Sequence, residues 1–196
     1  MADAAVLASG SGSNFEALAE ALAGTGHRIR LLICDQKDAG CLQRADRLGI
    51  PSRLVSYAGR TRGEAEAEIL EAAAASGARI LFLAGYMRLL TPLLIDGFPG
   101  DIINIHPALL PRHPGTHGIR DSYLSGDPEL GITIHKVDYG MDTGPVIRQA
   151  SFRKEEVSSL EEAEARIHQL EHLWYPRVAL DLLNALEGSP RRGAGR

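Results

Sequence analysis

One rhythm constrains this chain more than anything else: short, continuous apolar runs alternate with longer amphipathic stretches. Ala4–Ala8 reads as a buried strand, then a Gly/Ser turn and a helix over Asn14–Ala23. The pattern repeats with strand Arg28–Cys34, helix Ala39–Leu48, strand Ser52–Val55 after the break at Pro51, and helix Thr61–Ser76. Two more apolar runs, Ile80–Ala84 and Asp101–Ile105, read as strands. Strands that are apolar throughout are buried on both faces, as in a parallel sheet, and strand–helix alternation places helices on both sides of it. Beyond Ile105 the character changes. A proline-rich loop, His106 to Gly118, precedes strands over Leu130–Val137 and Pro145–Phe152, then a mostly helical stretch, Glu155–Leu186, which Pro176 should break or kink. The expected class is α/β and Rossmann-like: a mostly parallel twisted sheet with helices on both faces, an antiparallel C-terminal strand addition and a long final helix. Residues 1–187 form one expected domain, with a disordered tail over 188–196.

Composition excludes several classes of function. The formal net charge of −4 lacks the basic excess of a nucleic-acid binder, and Arg191, Arg192 and Arg196 make only a short basic tail. Cys34 and Cys41 are too few for a disulfide framework or a cysteine zinc site, and read as reduced thiols. No run approaches the ~20 apolar residues that span a bilayer, and the first residues lack the pattern of a secretory signal. A soluble, cytoplasmic protein is expected, without nucleic-acid or membrane partners.

Three segments carry candidate chemistry. Ser9-Gly10-Ser11-Gly12-Ser13-Asn14 joins a strand to a helix. Its backbone N–H groups and the helix dipole can cradle an anion, and Ser13 or Asn14 can cap the helix. Phe15 stands where a dinucleotide fingerprint has its third glycine, and no Lys-Ser/Thr pair makes a Walker loop. The same residues suit a plain capped turn. Next, Asn104-Ile105-His106-Pro107 ends an apolar strand, where ligands of open α/β sheets bind. Residues two apart on extended chain point the same way, so Asn104 and His106 can address one ligand. A carboxamide beside an imidazolium suits an oxyanion on a carbonyl carbon; the alternative is a buried pair satisfied by loop backbone. Third, the turn from Asp138 to Pro145 can hold Asp142 rigidly. A carboxylate near His106 would favour the charged imidazole and could pass a proton. His106, His113 and His117 crowd one segment, but it is not helical and holds no acidic ligand, so no metal is expected.

Taken together, SGSGSN, AGYMRLLTP, INIHPALLPRHPG, HKVDYGMDTGPVI and EHLWYP, in this order from Val6 to about Val178, resemble the phosphoribosylglycinamide formyltransferase family, folate-dependent enzymes of purine synthesis. The resemblance implies a catalytic trio of Asn104, His106 and Asp142. It implies ribotide and phosphate contacts from Gly12, Ser13, Asn14 and Glu171. Folate contacts would come from Arg62, Met87, Arg88, Leu89 and Leu90, from Asn104, and from Asp138, Tyr139, Gly140, Met141 and Asp142. The implied co-substrate is 10-formyltetrahydrofolate, with no metal, small molecules as the only partners, and a monomer or homodimer. Two departures concern the folate loop: Tyr139 is aromatic where a small or acidic residue is frequent, and the stretch from Gly115 to Arg120 places its histidine differently. Three rivals are a hydrolase of the same formyl folate, a formyltransferase acting on charged initiator tRNA, and a silent binding module. The first two usually carry an additional domain, for which this chain shows no sequence.

Overall fold

A computed structural model describes residues 1–187; the expected tail lies outside the described residues. In chain order the elements are β1 (Asp3–Ala8), α1 (Ser13–Leu22), β2 (Arg28–Cys34), α2 (Gly40–Leu48), β3 (Ser52–Leu54), α3 (Arg62–Ala75) and β4 (Ile80–Leu83). There follow α4 (Pro92–Gly97), β5 (Asp101–His106), α5 (Gly118–Leu124), β6 (Glu129–Lys136), β7 (Val146–Arg153), a short 3-10 turn (Lys154–Glu156) and α6 (Leu160–Ala185). The strands form one sheet in the order β3-β2-β1-β4-β5-β6-β7. The first five run parallel, while β6 is antiparallel to both β5 and β7.

Residues alternate faces along a strand, and β1 shows what that does to the core. Ala4, Val6 and Ala8 pack on one side of the sheet with Phe15, Leu18 and Leu22 of α1 and Ala163, Ile167 and Leu183 of α6. Ala5 and Leu7 pack on the other with Ala65, Ile69 and Ala73 of α3 and Leu94 of α4. Burying a side chain such as Phe15 or Leu18 contributes roughly 1.5–3 kcal/mol. The strand order reverses between β1 and β4, so the crevice at their carboxyl ends is a topological switch point.

The structure departs from expectation in three places. Two short helices, α4 and α5, stand in stretches to which the sequence reading assigned no element. The last helix begins at Leu160, where Ser159 accepts the Glu162 N–H as an N-cap, rather than near Glu155. It also runs through Pro176 without interruption. Pro176 and its neighbours Tyr175, Val178 and Ala179 are all buried, and that packing outweighs the one helical hydrogen bond the proline removes. Tyr175 is the largest fully buried side chain among the described residues. Its hydroxyl donates to the carbonyls of Leu83 and Ile103, both at 2.9 Å, and its ring meets Phe82 edge-on at 5.6 Å. One side chain thus ties α6 to both β4 and β5.

Candidate active site

The carboxyl ends of β1, β4 and β5, with the turn after β6, surround a cavity of about 770 Å³. Its wall draws on Gly10–Asn14, Leu83–Leu90, Asn104–Pro107, Gly115–His117, the turn around Asp142, and α6 through Glu164, His168 and Glu171. That volume suits a ligand of small-molecule size.

Asn104 and His106 both reach this cavity from β5, and Asp142 joins them from the turn. Asn104 Nδ2 lies 3.5 Å from Asp142 Oδ1. His106 Nδ1 is 3.4 Å from Asp142 Oδ2, and Asp142 Oδ2 also accepts the Gly115 N–H at 2.8 Å. Asp142 holds φ 57°, a left-handed conformation that aspartate tolerates better than most residues. His106 Nε2 donates to the His113 carbonyl at 2.7 Å. A carbonyl only accepts, so Nε2 carries hydrogen and the neutral ring turns its Nδ1 lone pair towards Asp142. Gly118 leaves room for this ring: a Cβ there would sit 3.0 Å from His106 Nε2.

The electrostatics correct one expectation. Burial pushes His106 below the ordinary imidazole value, and the opposing pull of Asp142 does not restore it. Burial also works against the Asp142 carboxylate, yet the neighbouring His135 ring, the Gly115 N–H and the nearby His106 ring hold it below the usual carboxylate range. Burial of the ring, rather than the carboxylate beside it, thus sets the direction of the His106 shift. The pair sets an imidazole nitrogen 3.4 Å from a carboxylate oxygen, a separation across which a proton can pass.

His135, which sequence reasoning missed, completes this cluster. Register places it directly across from Asn104. Its Nδ1 donates to the Lys136 carbonyl at 2.9 Å, leaving Nε2 to accept from Asn104 Nδ2 at 3.2 Å. The segment HKVDYG held the signal, but the residue's role depends on the β5–β6 pairing. No other hint in the sequence would have found it, or the backbone contributions of His113 and Gly115.

At the opposite end, Gly12 takes φ 80° and occupies the N-cap position of α1, with no side-chain cap. Ser13 and Asn14 thus do not cap the helix as expected; they lie inside it, with Ser13 as its first residue. A Cβ on Gly12 would come within 2.5 Å of Cys41 Cβ, so α2 packs directly beneath this loop. Asn14 Nδ2 donates to Glu171 Oε2 at 3.0 Å, and Glu171 accepts again from His168 Nδ1 at 2.9 Å. Glu171 is only 4% exposed. Asn14 Oδ1 is buried with no hydrogen-bond partner, an acceptor left over for a donor that enters the cavity.

Met87 to Leu90 line an apolar wall, where Met87 is 63% exposed and Leu89 49%. Arg88 is tied by its Nε to Asp35 at 2.6 Å and stacks over the Tyr57 ring at 4.0 Å. Asp138, Gly140 and Met141 line the cavity. Tyr139 does not; its exposed hydroxyl donates to Asp96 on α4. Nor is Arg62 brought to the cavity: it opens α3, behind the Thr61–Glu64 capping box, and is exposed. The His113 ring turns away to Asp127, so the three histidines of this segment do not converge. Among the described residues no group of three or more His, Cys, Asp or Glu is placed to hold a metal ion, and no helix is long and apolar enough to cross a membrane.

Residues 2–179 match the formyl transferase family. The chain is 42% identical over 184 residues to the phosphoribosylglycinamide formyltransferase of Bacillus subtilis (strain 168), covering 91% of this chain and 93% of that protein. It is 36% identical to part of the trifunctional purine biosynthetic protein adenosine-3 of Drosophila melanogaster, covering 92% of this chain and 14% of the fly protein. Its structure is similar to that of glycinamide ribonucleotide transformylase 1 from Geobacillus kaustophilus, with a TM-score of 0.88, 42% identity, and coverage of 93% and 99% of the two chains.

Proposed function

This chain belongs to the formyl transferase family and has phosphoribosylglycinamide formyltransferase activity in purine biosynthesis, with small molecules as substrates; we propose that it moves the formyl group of 10-formyltetrahydrofolate onto the primary amine of the ribotide through the Asn104, His106 and Asp142 cluster. The observation that carries this mechanism is the approach of His106 Nδ1 to Asp142 Oδ2 at 3.4 Å beside the Asn104 carboxamide.

The amine nitrogen attacks the formyl carbon, leaving positive charge on nitrogen and negative charge on the former carbonyl oxygen. Asn104 Nδ2 donates to that oxygen. The ammonium proton passes, directly or through water, into the gap between His106 Nδ1 and Asp142 Oδ2. His106 becomes an imidazolium only at this stage, so its charge stabilises the oxyanion more than the bound substrates. The proton then moves to N10 of the folate as the C–N10 bond breaks. The products are the N-formyl ribotide and tetrahydrofolate. His135 orients Asn104 across the strand pair.

Further support comes from the other end of the cavity. The N–H groups after Gly12 face it at the start of a ten-residue helix, where a phosphate is stabilised. Glu171 and the spare Asn14 Oδ1 are acceptors suited to the amine end of the ribotide. The Met87–Leu90 wall and the 138–142 turn offer the folate an apolar slot. Residues 1–187 act as one catalytic unit in this reading, and every named side chain comes from one chain, so it holds for a monomer or a homodimer. Cys34 and Cys41 are free thiols, which suits the cytoplasm.

The test follows folate-product absorbance with 10-formyltetrahydrofolate, with the ribotide added or withheld. Turnover only with the ribotide is expected. Equal turnover without it would establish a hydrolase instead.

A further inference from the structure

One loop touches both members of the proton-accepting pair through its backbone. The His113 carbonyl takes the His106 Nε2–H at 2.7 Å, and two residues later the Gly115 N–H donates to Asp142 Oδ2 at 2.8 Å. Which way the His113 carbonyl points depends on the left-handed backbone at His113, φ 54°. Non-glycine residues seldom adopt that conformation, so a contact that anchors the His113 side chain favours it. The structure shows that contact. His113 Nε2 meets Asp127 Oδ2 at 2.6 Å, and Arg112 takes the other oxygen at 2.7 Å. Asp127 is itself fixed, its N–H donating to Ser125 Oγ, while Lys154 binds the Ser125 carbonyl. Of the anchoring groups Arg112, His113, Ser125, Asp127 and Lys154, none lines the cavity.

We propose that Asp127 and His113 form a positioning dyad, seated outside the cavity, that aims the loop backbone at His106 and Asp142 and so sets the geometry of the proton-accepting pair. With the ring anchored, the left-handed turn at His113 persists and both backbone contacts are made. Without the anchor, His113 relaxes to an ordinary conformation, its carbonyl swings off His106, and Gly115 leaves Asp142. The inference rests on the reading of His106 and Asp142 as the reacting pair, and the experiment separates the two.

The experiment measures kcat and both KM values for Asp127→Ala, His113→Ala, their double variant, Asp127→Asn and Arg112→Ala. It also follows the His106 ring by NMR as pH is varied, with circular dichroism to check folding. Asp127→Ala and His113→Ala should each lower kcat about 10- to 100-fold, the scale of a small misplacement of reacting groups, with KM values little changed. The double variant should lose no more than either single one, since both break the same link. Asp127→Asn keeps an oxygen for the imidazole N–H and should retain most of the turnover. Arg112→Ala should as well.

The NMR signal is what a purely structural role would not move. The groups facing His106 are Asp142, His135 and Glu171, with the His113 carbonyl. That carbonyl raises the His106 pKa, so its loss should shift the His106 titration to lower pH. A folded Asp127→Ala protein with unchanged kcat and an unmoved His106 titration would overturn the proposal, as would an equal loss in Arg112→Ala. If Asp127→Ala does not fold, the comparison of Asp127→Asn with His113→Phe, which keeps a ring but cannot hydrogen-bond Asp127, decides in the same way: equal turnover in both sinks it. Full turnover in Asp142→Ala would instead remove the reading beneath it.

Discussion

The two ends of the cavity are built by different physics. At the Gly10–Asn14 end, shape comes from sterics and local backbone. Gly12 holds a left-handed turn that no side chain caps, pressed against Cys41 at the start of α2. At the His106–Gly118 end, shape comes from polar contacts between residues far apart in sequence: His106 with Asp142, Asn104 with His135, His113 with Asp127. The first end needs little beyond its own sequence and a wall to pack on. The second exists only when β5, β6 and two loops are all in place. A packed turn fails in binding and stability, whereas a polar cluster fails in chemistry.

The largest expected effect falls on the polar end. Asn104→Ala and Asp142→Ala should each lower kcat by about 10²-fold or more, as when an oxyanion donor or acid–base group is lost, with smaller changes in KM. Steady-state kinetics with both substrates checks this, and a variant of either kind with full kcat breaks the contrast. Next comes the packed end. Gly12→Ala places a methyl against Cys41 in a disfavoured conformation, and should destabilise the protein by about 2 kcal/mol. It should raise the ribotide KM more than it lowers kcat; urea unfolding and initial rates measure both. An unchanged ribotide KM would mean that this turn holds no phosphate.

A third test uses pH. The mechanism needs the His106–Asp142 pair free of its extra proton, and burial lowers the His106 pKa. The acid limb of kcat/KM should therefore lie below the ordinary imidazole value of 6.5, and Asp142→Asn should abolish or displace it. The stability sign agrees. A histidine whose folded pKa is depressed stabilises the fold when neutral, and that contribution is lost as pH falls below its unfolded value. Tm should thus fall less steeply below about pH 6.5 in His106→Asn than in the parent chain. The smallest effect on chemistry should come from Tyr175→Phe. It leaves the Leu83 and Ile103 carbonyls without their donor, at a cost of about 2 kcal/mol or about 4–8 °C in Tm, while turnover stays near that of the parent. A larger loss of turnover than of stability would make the strand ends part of the polar device.

Much of the scaffold was legible because its signals are local. Val6 and Leu7 lie in a run too apolar for any surface, and the stretch from Thr61 to Ser76 reads as a helix from its own spacing. Asn104 and His106 share a cavity because strand periodicity puts them on one side. Legibility failed where a residue's partner was distant. Pro176 looked like a break until Tyr175 and Ala179 were seen buried around it. Arg62 carries the right charge for a ligand, yet it sits at the exposed start of α3, away from the cavity. Tyr139 reaches Asp96 instead of the cavity wall.

By itself, then, the sequence determined the layered α/β plan and pointed to Asn104, His106 and Asp142 as residues that meet in one cavity, since periodicity and turn chemistry act over a few residues. The tertiary structure alone decided that burial holds His106 below the ordinary imidazole value, that His135 faces Asn104, and that Asp127 stands behind the loop that contacts His106 and Asp142. Burial, register and charge separation are properties of the assembled chain, and each depends on atoms that the sequence keeps tens of residues apart.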